Sequence, residues 1–226
     1  MGLVSARETV LAKVRRALAV GGDESGRRRM VEARLENPQP NLIPARGQLD
    51  REGRVELFCR MAEKVAATVR RAERIEDVPI LVGAHLRWHN LPQQIRTGSD
   101  PVLAELPWSR EPHLERLIGP SDGNDAASLS RAFAGVAESG TLVLLSGEDN
   151  PTTLNFLPDS HIVLVAADDI AGDYESVWRR IRELELPGAL PRTVNFVTGP
   201  SRSADIEQTL ILGAHGPRAL HIIVVG

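Results

Sequence analysis

The stretch "TVNFVTGPSRSADIEQTLILGAHGPRALHIIVV", Thr193 to Val225, decides how the rest of the chain is read. Its ends, 193–198 and 220–225, are apolar runs of strand length. Between them, 203–212 reads as a helix. The turns "GPSRS" (199–203) and "GAHGP" (213–217) flank it. A strand, a helix and a second strand form the unit of a mainly parallel sheet covered by helices. Its two polar ends raise a second question, whether they form one site or two. A helix over 203–212 would be about 15 Å long. If the last strand is parallel, His215 leaves at the far rim, beside Glu138. If it is antiparallel, 213–219 runs back along the helix, since seven extended residues reach roughly 20 Å or more.

The same texture extends upstream. "VPILV" (78–82), "TLVLL" (141–145) and "HIVLVA" (161–166) are near-continuous apolar runs. Strands without alternation are buried on both faces. Segments 126–138 and 172–184 read as helices between them, and 100–120 has room for one or two short strands. The expected fold is α/β, a three-layer α/β/α arrangement with a mainly parallel sheet, preceded by a helical extension. In the extension, 5–19 reads as an amphipathic helix with Val10, Leu11, Val14, Ala17 and Leu18 on one face. A charged linker bearing Arg27, Arg28 and Arg29 follows, then an irregular, proline-rich 37–48. Residues 50–73 read as a long helix burying Phe58, Met61, Ala62, Val65 and Val69. The expected division is 1–76, helices and linker packing on the core, and 77–226, the α/β domain.

Composition narrows the function. The 226 residues carry a formal net charge of −3 and only 4% aromatics, which gives no basic patch or stacking surface for nucleic acid. Lys13 and Lys64 are the only lysines. Cys59 is the only cysteine, so neither an internal disulfide nor a cluster held by about four thiolates can form within the chain. The first twenty residues are charged through their middle, unlike a secretory signal. Ala6 stands where a myristoylation signal needs Ser or Thr. No apolar run has bilayer length. The expected location is cytoplasmic.

Ligands of open parallel sheets bind outside the carboxyl ends of the strands. That rule selects His85 after the first run, "SGEDNP" (146–151) with Gly147 and Asn150, Asp168-Asp169, and "GPSRS" with Gly199, Ser201, Arg202 and Ser203. The last combines a helix N-terminus with an arginine fork, a combination suited to a carboxylate or phosphate. Asp205 and Glu207, in the first helical turn, join it as ligand candidates, although they also serve simply to offset the helix dipole. Asn150 before Pro151 equally suits plain capping. His85 and His89 have i, i+4 spacing, but the third ligand and the acid of a zinc-protease motif are absent, so no metal is expected. G-x-G-x-x-G, G-x-x-x-x-G-K-[ST] and G-x-S-x-G are all missing. Glu138, read at a helix C-terminus where the dipole opposes it, is the candidate acid, base or nucleophile.

"VTGPSRSADIEQTLILGAHGPRALHIIVV" (197–225), "GVAESGTLVLLSG" (135–147), "NP" (150–151), "LPDSHIVLV" (157–165) and "HNLP" (89–92) resemble blocks of the LUD domain, the lactate-utilisation protein C family. The resemblance covers roughly 78–225. It implies a NagB/RpiA/CoA-transferase-like fold and a part in L-lactate oxidation to pyruvate by three cytoplasmic proteins. The two partners carry the iron–sulfur motifs, and a chain with Cys59 alone fits the cluster-free component, with no cofactor of its own. Two alternatives stand beside it. One is a free-standing transferase or isomerase in which Glu138 reacts while Ser201, Arg202 and Ser203 hold a phosphate or carboxylate. The other is a non-catalytic module that docks through its N-terminal helix.

Overall fold

The computed structural model describes residues 5–18, 24–184, 190–204 and 210–226. Contacts divide the chain into two units, Met1–Leu42 and Ile43–Gly226. The sequence reading set its boundary after residue 76, whereas residues 43–76 here share a unit with the sheet.

The first unit holds α1 (Ala6–Ala17) and α2 (Ser25–Glu36). Ser5 and Glu8 close a capping box at the start of α1, satisfying two backbone donors reciprocally. The anticipated apolar face exists but is not buried: Val10 and Val14 are 59% and 47% exposed. Arg27–Arg29 lie in α2 rather than in a linker, and Arg28 pairs with Glu32 one turn on.

The second unit runs α3 (Arg51–Lys64), β1 (Thr68–Ala72), α4 (Val78–Trp88), β2 (Gln94–Thr97), α5 (Pro101–Glu105), β3 (Glu115–Ile118), β4 (Ala127–Arg131), β5 (Ala134–Val136), β6 (Thr141–Leu145), β7 (Ser160–Ala166), β8 (Ile170–Ala171), α6 (Tyr174–Arg182), β9 (Val194–Val197), β10 (Arg202–Ala204), β11 (Leu210–Leu212) and β12 (Ala219–Val225). Six strands form one sheet in the order β1-β12-β7-β4-β2-β3, every pair parallel. The α/β class with a mainly parallel sheet therefore holds. β7 and β12 are buried on both faces, as their unbroken apolar runs require.

Helices flank the sheet on both faces, and on one of them a second sheet joins the helix. One face of the sheet buries Leu129, Ile162 and Ile223 against Val78, Val82 and Leu86 of α4 and Leu103 of α5. The other buries Val163, Val165 and Ile222 against Val55, Phe58 and Ala62 of α3, and also against Leu142 and Leu144 of a second sheet. That sheet has the order β8-β5-β6-β9, with β5–β6 and β6–β9 antiparallel. Val177 and Ile181 of α6 back it.

Four element readings are corrected. Residues 78–82 open α4 instead of forming a strand. Pro79 sits in the first turn, where its missing N–H costs nothing, and Val78, Val82 and Leu86 fall on one buried stripe. Residues 126–138 form β4 and β5 rather than a helix. Their alanines suit a helix by propensity, but the segment is buried on both sides as strands are in a layered fold. A Cβ on Gly135 would press on Phe58. The long helix over 50–73 stops at Lys64. Ala66 takes φ +67°, and Thr68 and Val69 then enter β1. Finally, both described flanks of 203–212 are strands, β10 and β11, paired antiparallel with Ser203 opposite Ile211. Asp205 and Glu207 lie outside the described residues.

Candidate functional site

Because Arg202–Ala204 is a strand instead of the first turn of a helix, the expected anion site at a helix N-terminus loses its basis. The hairpin instead folds the two glycine-proline turns onto each other. The Ser201 amide donates to the Pro217 carbonyl at 2.9 Å, and Gly213 N–H donates to the Ser201 carbonyl at 2.9 Å. The His215 amide reaches Ser201 Oγ at 3.3 Å. Gly199 takes φ +78°, and a Cβ there would strike the Val65 carbonyl at the end of α3. Arg202 donates to that same carbonyl. At the end of β9, Thr141 Oγ1 holds Thr198 Oγ1 at 2.7 Å.

These turns wall a cleft of about 280 Å³. Gly199, Ser201, Arg202 and His215 line it together, with Phe156 and Phe196 as its apolar surface. The last strand is parallel to its neighbours, yet His215 still meets Ser201, because the intervening segment returns as a hairpin. The cleft also lies at the wrong end of the sheet for the carboxyl-rim rule. His161 and Leu220, which line it, stand near the starts of β7 and β12.

Sequence reasoning missed two residues of this cleft. His161 is fully buried, with Nε2 3.2 Å from Ser130 Oγ, and Ser130 Oγ donates to Asn155 Oδ1 at 3.3 Å. His161 Nδ1 and Asn155 Nδ2 are buried without a partner. Burial holds the imidazole pKa down at about 3. The available signal was a histidine heading a run that the sequence itself marks as buried on both faces.

The other candidates lie elsewhere. Glu138 sits in the tight turn between β5 and β6, not at a helix C-terminus. It is buried, it faces Arg46 at 3.6 Å, and it lines neither cavity described here. Ser203 is in β10 and does not line the cleft. The loop with Gly147 and Asn150 lies at the opposite end of the second sheet, because Leu145 pairs with Val194 and Leu142 with Val197. Asn150 Nδ2 donates to the Leu145 carbonyl, and the loop rests on Gly98, whose Cβ would strike the Asp149 carbonyl. Asp168 and Asp169 are taken up by Arg51 and Arg180.

His85 belongs to a second cavity, about 450 Å³, on the other face of the parallel sheet. Its ring stacks on His221 at 4.2 Å and tilts against His89 at 4.5 Å. Its Nε2 is 3.0 Å from Ser160 Oγ. Burial and then His89 lower the His85 pKa to about 4. Burial, then His85, Arg70 and His89, lower that of His221 to about 3. Among the described residues no cluster of three or more His, Cys, Asp or Glu is arranged to hold a metal ion.

The residues of the cleft fall inside one family match: the model of the LUD domain matches residues 123–225. Residues 123–225 are thus similar to a LUD domain. The chain is similar to "Lactate utilization protein C" of Geobacillus thermodenitrificans, 38% identical over 107 residues, 46% of this chain and 45% of that protein. It also resembles "Lactate utilization protein C" of Anoxybacillus flavithermus, 41% identical over 90 residues, 39% of each chain. The matched stretch thus spans less than half the length of these relatives. A crystal structure of a DUF162 family protein from Deinococcus radiodurans shares the fold, with a TM-score of 0.55 and 22% identity over 79% of this chain and 99% of that one. Among the described residues, no helix is long and apolar enough to cross a membrane.

Proposed function

We propose that this chain is the cluster-free component of a cytoplasmic system that oxidises L-lactate to pyruvate, and that the cleft between the two glycine-proline turns holds a small carboxylate. One observation carries the reading. The cleft lies inside the stretch that matches the LUD domain, and there Arg202 supplies a cation and the buried His161 and Asn155 supply unsatisfied polar atoms. Such atoms carry a cost until a ligand or water pairs with them. Cys59 is half-buried with its thiol pKa raised by burial, and one thiol is too few for a cluster, so the iron–sulfur centres belong to partner proteins. A transfer reaction centred on Glu138 has less support, because that carboxylate lies beside neither cavity.

The test is reconstitution. Iron–sulfur partner proteins are assayed for lactate-dependent reduction of an artificial electron acceptor, with and without this chain. The reading expects the rate to require the chain and to fall at least about tenfold with Arg202→Ala, the usual scale for loss of one charge-assisted contact. A rate indifferent to the chain would overturn it.

A further inference from the structure

We infer that the floor of the cleft is built to receive a hydroxyl group, so that the site selects a 2-hydroxycarboxylate over the matching 2-oxocarboxylate. The inference rests on the small-carboxylate reading and adds to it a rule of discrimination. It follows from counting protons along a chain of three side chains. Ser130 Oγ has one proton to give, and it lies between His161 Nε2, at 3.2 Å, and Asn155 Oδ1, at 3.3 Å. Given to Asn155, that proton obliges Ser130 to accept from His161 Nε2–H. A neutral imidazole protonated on Nε2 has a bare acceptor at Nδ1. Asn155, having accepted at Oδ1, still has Nδ2–H to donate. Those two atoms, Nδ1 and Nδ2, are the ones left buried without partners.

The result survives an exchange of the Asn155 amide oxygen and nitrogen. The amide then donates to Ser130, Ser130 donates to His161 Nε2, and the ring proton moves to Nδ1. One end of the chain is again a free donor and the other a free acceptor. A hydrogen-bond chain that runs in one direction always ends this way.

His161 and Asn155 both line the cleft, and a ligand group that reaches their two unpaired atoms would meet one donor and one acceptor. A hydroxyl satisfies both. A keto oxygen accepts from one and leaves the other unpaired. A methylene satisfies neither. The imidazole stays uncharged at neutral pH because burial opposes its protonation, which keeps the acceptor available. Arg202 is exposed and lines the same cleft, and the inference assigns it the carboxylate of the ligand. Leaving one buried polar group unpaired corresponds to a loss of about tenfold to a hundredfold in affinity.

The experiment measures L-lactate, pyruvate and propanoate binding to the full chain at neutral pH, by calorimetry or ligand-observed NMR. Lactate should bind about ten- to a hundredfold more tightly than pyruvate, with propanoate the weakest. His161→Phe should erase the preference. Ser130→Ala, a smaller change that keeps the ring, should weaken it, with circular dichroism confirming the fold. Nitrogen-15 NMR of His161 should show one protonated and one bare ring nitrogen, with the Nδ1 signal responding to lactate but not to propanoate. Pyruvate bound as tightly as lactate, or a preference that survives His161→Phe, overturns the inference. If all three acids bind equally and all are lost with Arg202→Ala, the small-carboxylate reading stands and the hydroxyl rule fails. If none binds, both fail.

Discussion

The Ser201 amide and the Pro217 carbonyl, at opposite ends of the β10–β11 hairpin, are hydrogen-bonded at 2.9 Å. This bond closes the hairpin at its base and sets His215 beside Ser201. A strand–helix–strand crossover would have sent the two turns to opposite rims of the sheet. The hairpin makes them two walls of one cleft.

The cleft depends on a backbone conformation at Gly199 that other residues rarely adopt. Its φ is +78°, and a Cβ would collide with the Val65 carbonyl, which also accepts from Arg202. Gly199→Ala is therefore expected to destabilise the protein by about 1–3 kcal/mol and to weaken carboxylate binding, because relief of the clash moves Arg202. Urea unfolding and a lactate titration check both effects. An alanine variant of unchanged midpoint and affinity would show that the turn is not held against α3.

Acid should weaken the fold through three buried imidazoles. His85, His161 and His221 have pKa values lowered to about 4, about 3 and about 3, in each case chiefly by burial. Below about pH 6.5 the unfolded chain binds protons that the folded chain refuses. Stability is thus fully present above pH 6.5 and declines as the pH falls toward 3 to 4. Each pKa unit of depression corresponds to about 1.4 kcal/mol at full effect. The thermal midpoint should drop between about pH 7 and about pH 5, and His161→Phe or His221→Phe should flatten that slope. A midpoint that holds steady across the interval would contradict the burial of these rings.

Much of the fold was legible where local pattern and burial agree. The runs at 141–145, 161–166 and 220–225 are strands because β-branched and aliphatic residues fill a site covered on both faces. The run at 78–82 has the same composition, and periodicity over so few residues does not separate a buried strand from a buried helix. Pro79 was the better guide. The segment 126–138 failed for the opposite reason: alanine propensity was overridden by burial on both faces of β4 and β5, with Phe58 close against Gly135. Of the site, Gly199, Ser201, Arg202 and His215 stood out because their turn chemistry is local. His161 and Asn155 did not, because their role arises from Ser130 lying between them, a contact between three separate parts of the chain.

The loop after β6 offers a control. Gly98 lets the Asp149 carbonyl pass so close that a Cβ cannot fit, and Ser99 Oγ donates to the Glu148 carbonyl at 3.0 Å. Gly98→Ala should push 147–150 outward and cost stability on the order of 1–3 kcal/mol. The cleft lies beyond the other end of β6, so its affinity for lactate should change less than about twofold, below the cost of one lost hydrogen bond. A larger loss of affinity in a folded Gly98→Ala variant would mean that Gly147 and Asn150 belong to the ligand site after all.

Glu138 gives the sharpest contrast between the two ends of the argument. Its side chain is 5% exposed, and it faces Arg46, itself 63% exposed, at 3.6 Å. The backbone around it is fixed separately, by Glu138 N–H donating to the Gly172 carbonyl and by Gly140 at φ +68° against α3. Glu138→Gln keeps shape and volume and removes only the charge. It should shift stability by about 1 kcal/mol or less, since a pair with an exposed partner is weak. It should leave lactate affinity and the reconstituted rate within about twofold of the unsubstituted protein, because the carboxylate reaches neither cavity. A fall in rate of a hundredfold or more with affinity and fold intact would place Glu138 in the reacting machinery, and the centre of chemistry would then lie at the β5–β6 turn instead of the hairpin cleft.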